Sequence, residues 1–422
     1  MTNSHDALYR AICAHPDEDT PRLAFADLVE EEGDERRARF IRAQVALARL
    51  PAYDPLWIST RQHDPNAATG WCMTDALPKP PPAGCGWNRF EFRRGFPWKV
   101  GVLSLSALLD AGDAVFDAAP IQALDIDQRD RPRLAALADW SHLARLHRLN
   151  FSSGWFGAND IARLAESTYA TALTELGFEF DSLTPDGLAA LAGSPLFGRL
   201  KALDLSGNAI PPALLIDALG EARAPGALSR LALPFNRVGR DDAEPLFRLP
   251  ALRDLQHLDV SDNPLAADGV TALAASGVVR GLRVLNLSKT RPGVGGVKAL
   301  TEAGGLAGLR SLDLSNNALG PNAVKALAAC DGFRGLRVLN LSNNHVLNSG
   351  AASLAASRAL AGLLELDLCE AEIGDAGAIA LAESPHLGGL LRLDLRTRTG
   401  RALGDAARAA LAERFGDRVS LS

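Results

Sequence analysis

His63, Cys72 and Cys85 fall in one Pro- and Gly-rich stretch of this 422-residue sequence, and a Cys/Cys/His set is one that zinc accepts. Their spacing argues against it. Twelve residues separate Cys72 from Cys85, and neither a CxxC nor an HxxxH pair is present. No metal and no cofactor is expected. The five cysteines (Cys13, Cys72, Cys85, Cys330, Cys369) are odd in number and scattered, so they read as free or buried thiols in a reducing cytoplasm. Nucleophile and phosphate chemistry leave no better trace. GxSxG, GxxxxGK[ST], HExxH and a helix-opening GxGxxG are all missing, and Gly293-Val-Gly-Gly belongs to a repeated turn. Carboxylates are plentiful, but no pair stands apart from a recurring spelling. The expectation is a non-catalytic protein.

That spelling is what positions the polar residues. Written as apolar-x-x-apolar-x-apolar-x-x-N, it reads LKALDLSGN from Leu200, LSRLALPFN from Leu228 and LQHLDVSDN from Leu255. Further copies begin at Leu282, Leu309, Leu336, Leu363 and Leu390, with looser ones at Ile121, Leu146 and Leu173. The starts are separated by 25, 27, 27 and 28 residues and then six times by 27. A fixed period of this size signals a repeat array. Within each triplet such as Leu-Asp-Leu the two apolar residues point one way and the residue between them points the other, as in a strand. The stretch that follows, for example ALGPNAVKALAAC, carries Leu319, Ala323 and Leu327 at helical spacing. One unit is therefore a strand plus a helix, and it buries its apolar face only by stacking on neighbours. Strands stack about 4.8 Å apart and helices about 8–10 Å, so such an array bends with its sheet on the concave side.

Units of this length with LxxLxLxxN and a full helix resemble the ribonuclease-inhibitor-like class of leucine-rich repeats, over residues 121–416 at least. The resemblance implies an α/β solenoid with a curved parallel sheet on the concave side and helices on the convex side. It also implies a structural ladder of ninth-position amides: Asn208, Asn236, Asn263, Asn317 and Asn344, interrupted by Thr290, Ala371 and Arg398 and by Gly154 and Asp181. The string HPDEDTPRLAFADLVEEEGDERRARFIRAQ resembles the small repeat-companion domain at the N-termini of many bacterial repeat proteins, which carries no chemistry over with it. The organisation expected is a helical domain over 1–50, an inserted loop over 51–86 and a lead-in and cap over 87–120. Eleven repeats over 121–403 and a C-terminal cap over 404–422 complete it.

The candidate partner-binding residues lie on the concave face. Asp204, Asp259, Asn286, Asp313, Asn340, Asp367 and Asp394 occupy the outward fifth position, and Arg283, Arg310 and Arg337 line the starting edge. An acidic row beside a basic one suits a partner with an Arg-rich or basic segment. The bland reading is that this is simply how the repeat is spelt, since charge rows are often solvated faces. Large aromatics are scarce there, with Phe180 and Phe235 the clear ones. Arg36, Arg37, Arg39, Arg42 and Arg49 face Glu30, Glu31 and Glu32 and are read as internal ion pairs. The formal charge of −6 is spread without a basic face, which speaks against nucleic acid. No signal peptide and no membrane span is evident. The function expected is a monomeric, cytoplasmic scaffold for an unknown protein partner. A regulator of a GTPase or other enzyme and a purely architectural module are the alternatives.

Overall fold

The computed structural model describes residues 2–63, 85–86, 91–127, 134–154, 156–180, 183–222, 228–397 and 403–421. They divide into two compact units, Met1–Asp204 and Leu205–Ser422.

The first unit opens with helices α1 (Thr2–Ala14), α2 (Thr20–Glu31) and α3 (Glu35–Leu47). Pro21 sits at the start of α2, where its missing N–H costs nothing. Gly33 ends the connection at φ 95°, and the Asp34 carboxylate accepts the Arg37 N–H at 3.0 Å to start α3. Arg42 bridges Asp27 and Glu30 across α2 and α3, each at 2.7 Å. The loop reading of 51–86 needs correction over its first part, because Pro55–His63 is helix α4. Asp54 accepts the Leu56 N–H at 2.9 Å, Pro55 has the right φ for a first helical position, and Ile58 is buried. Residues 64–84, with Cys72, lie outside the described residues.

Strand β1 (Cys85–Gly86) precedes a small hairpin of β2 (Phe92–Arg93) and β3 (Phe96–Pro97). Phe96 from that hairpin is buried in one cluster with Ile12, Phe25, Ala26, Val29, Ala38 and Ile41. The three helices and the lead-in hairpin thus share a core, although they read as separate pieces of sequence. Gly95 makes the approach possible: it sits at φ 83°, and a Cβ there would lie 2.7 Å from the Ile41 Cα. Arg22 is buried beneath, its guanidinium 5.7 Å from the Phe96 ring centroid and donating to the Glu18 carbonyl at 2.6 Å. Burial pushes that guanidinium down to about 10.

The unit's sheet runs β1, β4 (Lys99–Val102), β5 (Ala123–Asp127), β6 (Arg148–Ser153), β7 (Glu175–Phe178) and β8 (Ala202–Asp204). Only β1 is antiparallel; every later pair is parallel. The second unit repeats one pattern through β9 (Arg230–Ala232), β10 (His257–Asp259), β11 (Val284–Asn286), β12 (Ser311–Asp313), β13 (Val338–Asn340), β14 (Glu365–Asp367) and β15 (Arg392–Asp394). These strands pair in parallel with no slip, so Leu258, Leu285, Leu312, Leu339, Leu366 and Leu393 form one buried row. A helix follows each strand, and small residues let neighbouring helices approach: a Cβ at Gly296 would meet Val270 at 3.2 Å. The closing helix Asp405–Phe415 stops at Gly416 (φ 54°), and β16 (Val419–Ser420) pairs with β15. Among the described residues no helix is long and apolar enough to cross a membrane.

Candidate functional site

From Asp259 to Asp394 each outward fifth-position side chain of the second unit is tied to its own turn, Ala232 before them having no polar atom to offer. Asp259 accepts the N–H of Ser261, Asn286 that of Ser288, and Asp313 that of Ser315, at 2.8–2.9 Å. Asn340, Asp367 and Asp394 do the same to Ser342, Cys369 and Arg396, at 2.9–3.1 Å. A side chain two residues ahead of a free N–H closes such a ring at little entropic cost. The second oxygens differ. Asp259 and Asp313 each accept from the amide of the next strand's Asn286 and Asn340, at 2.9 and 2.8 Å. The row is therefore a hydrogen-bonded array of fixed side chains, half-buried along its middle.

Its last member is different in kind. Asp394 is buried, and Arg396 grips it with Nε and a terminal nitrogen at 2.9 and 2.7 Å while Arg392 adds a bond at 3.2 Å. Burial would raise the Asp394 carboxyl, but the side-chain and backbone bonds from Arg396 outweigh it and hold the group below the usual range. Asp367 goes the other way: burial lifts it, and the Asp394 and Glu365 charges lift it further against the Cys369 N–H. A depressed carboxyl adds stability that is complete above its unfolded value of about 4 and disappears as pH falls through the folded one. Arg396→Gln should then cost about 1 kcal/mol at pH 7, a modest figure because this arginine is half-exposed. Urea titrations should show the gap from the parent protein shrinking as pH falls below the ordinary carboxylate value of about 4.

The first unit carries its own version of the row. Lys99 is buried between Glu91 at 2.8 Å and Asp125 at 2.6 Å. Asn150 lies over Gly177 and donates to Glu179 at 3.0 Å, and Asp204 ends the row. Burial raises the Glu179 carboxyl above its ordinary value.

Arg283, Arg310 and Arg337 are placed less freely than their spelling suggests. Arg283 donates to the Gly308 carbonyl at 3.0 Å and Arg337 to that of Gly362 at 2.7 Å. Arg310 donates to the carbonyls of Ala307 and Leu309, each at 3.0 Å. A Cβ at Gly335 or Gly362 would sit 2.1 or 2.3 Å from the Arg310 or Arg337 guanidinium, so glycine and arginine in adjacent repeats form one joint.

Deeper in the turns, Asn263 accepts the N–H groups of Asn236 and Val238 and donates to the Leu233 carbonyl. Asn344 serves Asn317, Leu319 and Leu314 in the same way. Asn317 accepts from Thr290 and Arg291 and donates to Leu287, while Asn236 donates to Leu205. Asn208 donates to the Ser206 carbonyl in its own turn over 3.4 Å. Thr290 turns its hydroxyl on the Leu287 carbonyl instead, and Ala371 offers no polar atom. Asp181 and Arg398 lie outside the described residues.

A second ladder escaped the sequence reading. At the helix ends Ser167, Ser357 and Ser384 donate to the carbonyls of Ala138, Ala328 and Ala355, twenty-nine residues earlier, and the Cys330 thiol does so to Thr301. The signal was present as a small polar residue recurring just after several of the helices. Burial pushes the thiols of Cys85 and Cys330 up, and that of Cys13 to about 11. Among the described residues no group of three or more His, Cys, Asp or Glu could hold a metal ion.

The family model described as "Leucine Rich repeat" matches residues 251–274, 309–328, 336–355 and 363–382. No curated protein matches the chain in sequence. Among solved structures, an internalin (inlF) from Listeria monocytogenes is similar at 16% identity and a TM-score of 0.42, over 77% of this chain and 86% of that one. A chain in the structure of the Rad7 and Elc1 complex in yeast is similar at 17% identity and a TM-score of 0.44, over 68% and 78%. The strand-then-helix unit, its parallel register and the matched segments together identify the architecture as an α/β leucine-rich-repeat solenoid.

Proposed function

We propose that this chain is a non-catalytic scaffold that holds a partner protein on the outward sheet face of its second unit. The observation that carries the reading is the row from Asp259 to Asp394, where each side chain is fixed by a bond to its own turn before any partner arrives. Side chains already fixed in place lose little freedom on binding, so the surface favours a specific partner. Leucine-rich repeats generally serve as protein-interaction modules, which agrees. Asp259, Asp313 and Asp367 recur on every second strand, and a partner with a basic segment suits them. Asp204 extends the same chemistry to the face of the first unit, and Arg283, Arg310 and Arg337 border the second with whatever donors their carbonyls leave over.

The test replaces Asp259, Asp313 and Asp367 together by Asn, which keeps the acceptor for the turn N–H, removes the charge and gives up the two half-buried bonds from Asn286 and Asn340. The variant is expected to fold like the parent and to lose at least about tenfold in affinity for the protein captured by the parent. Undiminished capture by a folded variant would contradict the reading.

A further inference from the structure

An exposed aromatic side chain sits where the backbone makes it costly to keep. Phe235 is 51% exposed and held at φ 57°, in the turn that leaves β9 rather than on the sheet face. The same turn position is filled by Asp262 and Lys289 in the next two repeats. Lys289 lies 3.0 Å from Asp262, and its ammonium reaches over to within 5.7 Å of the Phe235 ring centroid. Two residues further along each turn come Arg237, Pro264 and Arg291, all exposed, with both arginines in the left-handed region. Among the described residues neither guanidinium is engaged in an ion pair or side-chain hydrogen bond. This edge carries Arg237, Lys289 and Arg291 against Asp262, three charges less one, or +2, on a chain of −6.

Its dimensions follow from the backbone. The Phe235 N–H donates to the Ser261 carbonyl at 3.4 Å and the Asp262 N–H to that of Ser288 at 3.0 Å, so successive turns stay in register like strands. Arg237 and Arg291 are two repeats apart, or about 9.6 Å at the usual strand spacing. Three residues of polyproline II chain rise about 9.3 Å and bring the side chain back to the same face, whereas a flat strand would turn it to the opposite one. We propose that this turn edge docks an extended acidic segment of a partner protein. Carboxylates three residues apart meet Arg237 and Arg291, and an apolar side chain between them packs on Phe235 and Pro264. Arginine forks pair with carboxylates, and a central aromatic ringed by polar groups is the usual anatomy of a binding hot spot. Lys289, held in place by Asp262, adds a third donor. The surface is separate from the acidic row, so either reading stands without the other.

The probe is a fluorescein-labelled synthetic peptide with two Glu residues three apart and a Phe between them, titrated by anisotropy against the full chain. Binding is expected below about 1 mM, weakening at least about tenfold for a Phe235→Ala variant and for an Arg237→Gln/Arg291→Gln variant. Glu370→Gln, farther along the same edge, is expected to bind as the parent does. A peptide of the same composition with adjacent Glu residues should bind more weakly, and one with Lys for Glu should not bind. No binding at about 1 mM, equal binding by the Lys peptide or the adjacent-Glu peptide, or tighter binding of a single-stranded RNA of similar length overturns the proposal. A second readout needs no variant: a photoreactive Phe analogue in the peptide should crosslink to residues 234–264 of the parent, and crosslinks confined to the helices overturn it too.

Discussion

Asn317→Ala is expected to destabilise the second unit by about 3–4 kcal/mol, among the largest single effects available in this chain. The side chain is buried and serves four backbone groups at once. It accepts the N–H of Thr290 and of Arg291, each at 2.8 Å, and donates to the carbonyls of Leu287 and Leu314 at 2.8 and 3.0 Å. Alanine leaves all four without that partner in a site that is 5% exposed. A buried polar group left unpaired costs about 1–3 kcal/mol, and some of these will recover a partner as the turn relaxes. Thr290→Ala is the matched comparison. Its hydroxyl makes a single bond, to Leu287 at 2.7 Å, so about 1 kcal/mol is expected there. Equilibrium urea unfolding of both variants checks the ratio. Similar losses for the two would mean that the ladder adds nothing beyond one hydrogen bond.

Gly95→Ala carries the second large effect, and it bears on how the N-terminal helices are attached. A methyl group at Gly95 would stand 2.7 Å from the Ile41 Cα and 2.9 Å from its Cβ, closer than such atoms come without backbone movement. The residue also sits at φ 83°, where alanine loses about 1 kcal/mol to local sterics. Pushing α3 away from the hairpin opens the cluster that Phe96 shares with Phe25, Val29 and Ile41. A combined loss of about 2–4 kcal/mol follows, seen in thermal unfolding and as faster hydrogen exchange over residues 20–47. Gly33→Ala supplies the control, because Gly33 has a positive φ but nothing within 4 Å of a Cβ. Equal effects at the two glycines would mean that backbone strain alone is at work and that the helices do not depend on the hairpin.

What could be read from the sequence was whatever the period repeats. The eleven starts place eleven strands, from β5 to β15, each beginning two residues after its start. A burial pattern of period two inside a repeat of twenty-seven leaves little choice of register. Features that depend on one residue meeting another from the next repeat were harder to see. Arg310 and Gly335 lie twenty-five residues apart, and only the stacked structure shows that the missing side chain of one makes room for the other. The fifth-position row read as an acidic row beside a basic one, and the bonds that tie its carboxylates and amides to one another and to their turns were not legible there. Helix α4 was missed because proline and glycine dominate the stretch around it, while the Asp54–Pro55 start is a two-residue signal. Phe235 and Lys289 occupy left-handed turns that ordinarily favour glycine or the asparagine found at Asn316 and Asn343, and the stacked turns on either side hold them there.

Carboxylate footprinting by carbodiimide coupling, with and without the captured partner, tests the central claim most directly. Labelling at Asp259, Asp313 and Asp367 should fall when the partner is bound, while Asp268 and Glu383, exposed in or beside the helices, should label as before. Protection of Asp268 and Glu383 with the sheet-face row unchanged would place the partner on the helices and contradict the account.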